Sequence, residues 1–315
     1  MSEFLKIPVK RCLKGIIVGV LALLVLVACN NQPQVKTPPT AASGSTAKLT
    51  ELKFGVGLFF STPDENRKQF EPLFNELAKQ VNLPAKVTVA ENWADISEAL
   101  SSGTLDVAWL SPWGYVLADH NDPSIQAIAT VKYKDRPTYY ALLMARTNAP
   151  FNILDEAIAQ SQKGKKLKLS LADVSSTSSW LMPQAEFKRR NLDPKQVFDY
   201  REGASDAEQA IAITSGQMDI ASNSDRNLDV LTSTQQINTS NIKIIWQSVP
   251  LPNDAIAVRG NLPDDIKTKL KQALVNLSPE QAKTLLPKNY TGFVASNGSN
   301  YASIQAASTL VGKLK

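Results

Sequence analysis

One histidine and two cysteines in 315 residues leave too few soft ligands for a zinc or haem site. His120 stands alone in Ala118-Asp-His-Asn-Asp-Pro123 and reads as a solvated loop residue, so a Ser-His pair is missing too. No nucleophile, base and orienting group occur together, which sets an enzyme aside. An excess of one charge is also lacking. The 34 Lys and Arg stand against 29 Asp and Glu, and four of the basic residues (Lys6, Lys10, Arg11 and Lys14) open the chain beside Glu3 alone. Past that leader 30 basic residues face 28 acidic ones, so no basic surface argues for nucleic acid. The hydrophobic fraction of 43% and the charged fraction of 20% exclude global disorder and a protein of many membrane spans. No cofactor and no metal is expected.

What is there begins with an address. The basic start runs into Gly15-Ile-Ile-Val-Gly-Val-Leu-Ala-Leu-Leu-Val-Leu-Val-Ala28 and then Cys29. A positive segment before an apolar stretch of this length is the layout of a secretory signal, and the stretch is short for a membrane span. Leu26-Val27-Ala28-Cys29 resembles a bacterial lipobox, in which the cysteine is acylated and the leader removed. Cys12 then leaves with the leader, so the mature chain has no disulfide. More than one acyl chain on Cys29 suffices for stable anchoring, and an uncleaved signal anchor is the alternative. Residues 30–48 hold no aromatic residue and almost no large aliphatic one, and read as a tether.

From Leu52 short β-rich runs alternate with helical patterns. Leu52–Phe60 reads as a strand, and Thr62-Pro63-Asp64-Glu65 as a capping box before the apolar stripe Phe70, Leu73, Phe74 and Leu77. Strands are predicted at 86–90 and 105–110, with helices over 93–101 and from Ser111-Pro112. The pattern restarts with strands at 139–146, 167–172, 199–201, 218–221, 242–246 and 255–258. Helices are predicted up to Arg190, over 206–214, and over 263–277 and 301–314. This order argues for an α/β fold of two units, each a mainly parallel sheet wrapped by helices. Ligands of such sheets bind beyond the carboxyl ends of the strands, which directs attention to Trp109–Trp113, Ser175–Ser179 and Ser222-Asn223-Ser224.

The sharpest of these is Ser175-Ser176-Thr177-Ser178-Ser179, between a strand and a helix. Hydroxyls there can cap the helix while its free N–H groups face outward at the positive end of the dipole, an anion site without Arg or Lys. The competing reading is a plain Ser/Thr-rich loop with one cap. Ser111-Pro112-Trp113-Gly114-Tyr115 is a second helix start of the same kind, and two such N-termini facing each other would hold one oxyanion. Trp93, Tyr139 and Tyr140 could wall the pocket, with core packing as the alternative. Lys163-Gly164-Lys165-Lys166 reads as a solvated turn.

Taken together, residues 52–265 resemble the phosphonate- and phosphite-binding lipoproteins and periplasmic proteins that feed ABC importers. The matching stretches are Phe54-Gly-Val-Gly57, Glu98–Gly103 with Leu105–Pro112, Ser176-Thr-Ser178 followed by Pro183, Gly216–Ala221, and Trp246–Asp254. The resemblance implies a two-lobed class II periplasmic-binding-protein fold closing over one small anionic ligand. It implies an ABC permease as partner, a membrane contact through the N-terminal lipid, and a monomer in the cell envelope facing the periplasm or exterior. The segments expected are a signal peptide at 1–28, a lipidated cysteine and tether at 29–48, lobe 1 from 49–145 with 255–315, and lobe 2 from 146–254 with hinge segments at its ends. The phosphonate-gripping loop carries over to Ser176, Thr177 and Ser178, the aromatic wall to Trp93 and to Tyr139 or Tyr140, and an acid to Asp254. Ser111 joins the set as the cap of the second helix. Relatives that bind amino-phosphonates place a His where this chain has Ser205 and an acid close to Arg226 or Asp225. Those departures favour phosphite or methylphosphonate, with Asp254 accepting a P–OH proton. The alternatives are a binder of another oxyanion, such as a sulfonate or selenate, and a ligand-sensing module for a signalling partner.

Overall fold

The structure, a computed structural model, describes residues 49–314 apart from 58, 60, 61 and 91. Cys29, the leader and the tether lie outside the described residues, as does the Phe60 end of the first expected strand.

The elements follow in the order β1 (Leu52–Val56), α1 (Pro63–Gln80), β2 (Ala85–Val89), α2 (Trp93–Ser101), β3 (Val107–Leu110), α3 (Pro112–Asn121), β4 (Gln126–Tyr133), β5 (Thr138–Tyr139) and β6 (Ala141–Arg146). Next come α4 (Leu154–Lys163), β7 (Lys168–Leu171), a π-helical turn at Thr177–Leu181, α5 (Met182–Arg189), α6 (Pro194–Val197), β8 (Asp199–Glu202), α7 (Asp206–Thr214), β9 (Ile220–Ser224) and α8 (Asp225–Ser233). The chain closes with β10 (Ile242–Gln247), β11 (Leu251–Pro252), β12 (Ala255–Val258), α9 (Asp264–Val275), α10 (Pro279–Leu285), β13 (Tyr290–Ala295) and α11 (Ala302–Val311). The strand order is β13-β4-β12-β3-β1-β2 in one sheet and β10-β6-β9-β7-β8 in the other.

Each sheet is mixed. The expected parallel pairing holds for β1 with β2 and β3, and for β7 with β8 and β9. Antiparallel strands then extend both sheets where the chain crosses from one to the other and back. Each crossing segment carries one strand of a two-stranded ribbon, in which Leu251 pairs with Tyr139 and Pro252 with Thr138. Because β6 already pairs in the second sheet, the first crossing precedes the expected boundary at 146.

Alternation of side chains across the strands builds three apolar layers. In β3, Val107 and Trp109 join the core under α1, α9 and α10, while Ala108 and Leu110 face α2 and α3. In β6, Leu142 and Met144 join the core under α7 and α8, and Ala141, Leu143 and Ala145 point the other way. Both faces are buried, so these strands read as continuous apolar runs rather than as alternating ones. Burial of one large apolar side chain contributes about 1.5–3 kcal/mol. The stripe Phe70, Leu73, Phe74 and Leu77 is fully buried, as its spacing predicted. Leu167, Leu169 and Leu171 share one face. α11 packs on α3 and on α5, touching helices of both lobes, although residues 255–315 were assigned wholly to lobe 1.

Candidate functional site

At the end of β3, Ser111 caps α3, its Oγ accepting from Gly114 N at 3.1 Å, and Pro112 opens the helix. One of the remaining helix N–H groups, that of Trp113, donates to Thr177 Oγ1 at 2.9 Å. Both residues are buried and they stand 64 positions apart. The two loops singled out from sequence therefore meet.

Thr177 begins the π-helical turn, a wide turn that recurs at functional sites. Ser176 caps it, Oγ accepting from Ser179 N at 3.2 Å, and Leu181 N closes the wide turn on Ser176 O at 3.0 Å. The Ser179 carbonyl accepts from Ala172 N at 3.0 Å and from Ser222 Oγ at 2.6 Å, which pins the loop to the ends of β7 and β9. The Tyr139 phenol, on β5, faces the hydroxyls of Ser178 and Thr177. Burial pushes its pKa up, against the pull of Arg226 and of these two hydroxyls.

Arg226 is the residue the sequence reading left without a role. Ser224 caps α8, its Oγ accepting from Asn227 N at 3.1 Å, which sets Arg226 at the second helical position, just beyond the carboxyl end of β9. Its guanidinium lies 4.9 Å from the Tyr139 ring centre, 5.6 Å from Phe59 and 6.0 Å from Tyr290. It donates to Asp254 Oδ2 at 3.2 Å and Oδ1 at 3.4 Å, and to Asn253 Oδ1 at 3.1 Å. Trp109 Nε1 adds a bond to Asp254 Oδ2 at 3.0 Å. Burial is the largest influence and opposes the guanidinium's charge, but the Asp254 carboxylate together with Tyr290 and Tyr139 overcomes it, so the pKa is raised. The Asp254 carboxylate thus meets three donors from the protein itself, where a free acceptor for the ligand was expected.

Aromatic rings close the far wall. Phe59 N donates to Asn66 Oδ1 at 2.6 Å, which holds the Phe59 ring edge-on to Trp93 at 6.1 Å and to Tyr290 at 6.0 Å. Trp93 opens α2 and covers Gly57, where a Cβ would stand 2.7 Å from the indole. Tyr290 stacks edge-on to Trp109 at 5.6 Å, and its hydroxyl has no hydrogen-bond partner among the described residues.

Other expectations land elsewhere. The half-buried Tyr140 side chain packs against the core under α7 and α8, and its backbone N donates to Asp225 Oδ1 at 2.9 Å. Ser205 is exposed and forms a capping box with Glu208 at the start of α7, so its hydroxyl is spent on the helix. Its neighbour Asp206 turns the carboxyl inward instead, with Oδ1 buried. Tyr115 packs on Tyr301, and burial pushes its phenol up to about 12. Ser222, Asn223 and Ser224 belong to β9 itself, and His120 is exposed on the last turn of α3. Arg226 and Asp206 were open to detection by the rule that places ligands beyond strand ends, whereas Phe59 and Tyr290 carried no local signal.

Two mixed α/β sheets, a paired crossing and a hydroxyl loop met by a second helix start define a two-lobed solute-binding protein. The family model for the periplasmic substrate-binding protein of phosphonate ABC transporters matches residues 57–301, and the chain belongs to that family. The phosphonates-binding periplasmic protein of Escherichia coli (strain K12) is 26% identical over 261 residues, 82% of this chain and 76% of that one. Among solved structures, a binding-protein component of an ABC phosphonate transporter from Pseudomonas aeruginosa aligns with a TM-score of 0.70 and 24% identity, over 84% of this chain and 87% of that one. PhnD1 from Prochlorococcus marinus (MIT 9301), solved in complex with methylphosphonate, also aligns at 0.70, with 20% identity over 84% of this chain and 99% of that one.

Proposed function

We propose that this chain captures a small phosphorus oxyanion, such as phosphite, methylphosphonate or a related phosphonate, between its lobes and delivers it to an ABC permease without chemical change. It does so as a monomer tethered to the membrane through lipid on Cys29, facing the periplasm or cell exterior. The observation that carries the ligand class is the buried Arg226–Asp254 pair beside the hydroxyl loop. Hydroxyls and the α3 N-terminus suit an oxyanion. A fixed guanidinium in the same chamber repels an ammonium group and already occupies the carboxylate that would receive one. The β5–β11 ribbon is the natural hinge, since both crossing segments pass through it. Membership in the family supports the importer role.

A calorimetric screen of phosphite, methylphosphonate, 2-aminoethylphosphonate, phosphate, sulfate and selenate tests this. Saturable binding of phosphite or methylphosphonate without turnover is expected, with 2-aminoethylphosphonate clearly weaker. Tight binding of 2-aminoethylphosphonate would overturn the argument that Arg226 excludes an ammonium group, and binding of selenate or sulfate alone would overturn the ligand class.

A further inference from the structure

Five buried side-chain polar atoms lack a hydrogen-bond partner among the described residues: Ser179 Oγ, Asp206 Oδ1, both amide atoms of Gln209, and the Tyr290 hydroxyl. Native folds rarely leave such groups without a reason. Asp206 and Gln209 lie one turn apart on the same face of α7, and Gln209 is fully buried. Ser179 ends the hydroxyl stretch, and its side chain lies beside the Asp206 carboxyl without closing a hydrogen bond on Oδ1. Asn223 Nδ2, from β9, holds the Asp206 backbone carbonyl at 2.9 Å, which fixes the start of α7. Among the described residues, Arg226 on α8 is the charged group that acts on Asp206, and Arg226 is itself neutralised by Asp254.

From this placement we infer that Asp206 shares one proton with the bound oxyanion, so that the site accepts phosphorus oxyanions, which can bring a P–OH, and refuses sulfate-type anions, which cannot. The inference rests on the ligand class proposed above and assigns its selectivity to a residue. With Arg226 and Asp254 cancelling, an ionised Asp206 leaves the wall one charge negative, and a fully deprotonated anion is repelled. A single proton between the carboxylate oxygen and a phosphoryl oxygen removes that repulsion and forms a strong charge-assisted bond. The phosphorus ligand supplies it as P–OH, and sulfate has none to bring.

Titration calorimetry on the purified protein, with methylphosphonate and with sulfate, tests the inference. Measurements run from about pH 5.5 to 8.5, across the second ionisation of a phosphoryl group, in buffers of differing ionisation enthalpy that count protons. Above that ionisation the wild type should take up one proton per methylphosphonate, its Kd rising about tenfold per pH unit, and should bind sulfate at least about a hundredfold more weakly. Asp206→Asn should abolish the proton uptake and bring the two ligands within about tenfold of each other. Unchanged proton uptake and selectivity in Asp206→Asn would overturn the inference. So would wild-type methylphosphonate binding without proton uptake, a result that needs no variant and leaves the ligand class standing. Failure of the wild type to bind any phosphorus oxyanion would instead overturn the functional reading, and this inference with it.

Discussion

Thr177 does two things at once: its Oγ1 accepts the Trp113 N–H, and it stands in the loop that faces Tyr139. Thr177→Ala leaves a buried N–H without its partner, a loss of roughly 1–3 kcal/mol. Ligand affinity by calorimetry should fall about ten- to a hundredfold, because that contact joins the two lobes. Thr177→Ser keeps the hydroxyl and should retain most of the affinity. Asp254 has a different character. Its side chain is 1% exposed and its partner Arg226 14%, so neither charge has water to fall back on. Asp254→Ala strands a guanidinium and should destabilise the protein by about 3–5 kcal/mol in denaturant titration. The double variant Arg226→Gln, Asp254→Asn should recover most of that loss, since no lone charge remains buried. A double variant as unstable as the single one would show that packing, not charge pairing, dominates there.

At the scale of elements, α8 is tied to the first lobe by more than Arg226. Asp229 accepts from Lys134 Nζ at 2.7 Å and from Tyr133 OH at 2.7 Å, and Arg136 pairs with Asp225 at 3.3 Å. Burial raises the Asp229 pKa, but Lys134 and Tyr133 outweigh it and hold the carboxyl below its usual range. A carboxylate depressed on folding contributes stability that is complete above its unfolded value near about 4 and fades as pH falls through the folded one. Asp229→Asn should therefore lower Tm at neutral pH, and the two melting curves should converge as pH falls through the depressed folded value. A constant gap in Tm across that range would show that the carboxylate's charge is not what matters. These contacts link α8 to the β4–β5 turn, so the second lobe leans on the first away from the hydroxyl loop as well as at it.

For the molecule as a whole, the ribbon of β5 and β11 pairs the two crossing segments at residues 138–139 and 251–252, and it is the hinge proposed above. Small-angle scattering should show the radius of gyration fall on saturation with the bound oxyanion, and thermal stability should rise by about 2.7 kcal/mol at a hundredfold excess over Kd. An unchanged radius with a raised Tm would mean that the lobes are already closed without ligand. At the other end of the chain, Cys29→Ser removes the one acylation site expected after cleavage. The variant should leave the membrane fraction, and retention there at the parent's level would refute lipid anchoring.

Much of the fold was legible in the sequence because the deciding interactions are local. The bounds of α2, α7 and β12 agree with those read from periodicity and caps, and Thr62, Ser111 and Ser205 each cap the helix they precede. Helix and strand periods, Pro at the first turn and a hydroxyl before it are short-range facts. The hydroxyl loop was legible for the same reason. β4, with Ile128, Ala129, Thr130 and Val131 buried in succession, escaped detection because a strand covered on both faces shows no alternation. The site's electrostatics could not be read at all. Arg226 and Asp254 are 28 residues apart, Trp109 and Asp254 are 145 apart, and nothing in their local patterns announces the pairing. Whether Ser205 or Asp206 turns its side chain inward depends on where α7 begins and which way its first residue turns, a difference of one position that composition does not register. The sequence by itself determined most of the elements, their caps and the hydroxyl loop set between a strand and a helix. Only the tertiary structure decided which charges cancel and which acid keeps a buried oxygen without a hydrogen-bond partner among the described residues, because burial and long-range approach set the energy of a charge, and residue identity alone does not.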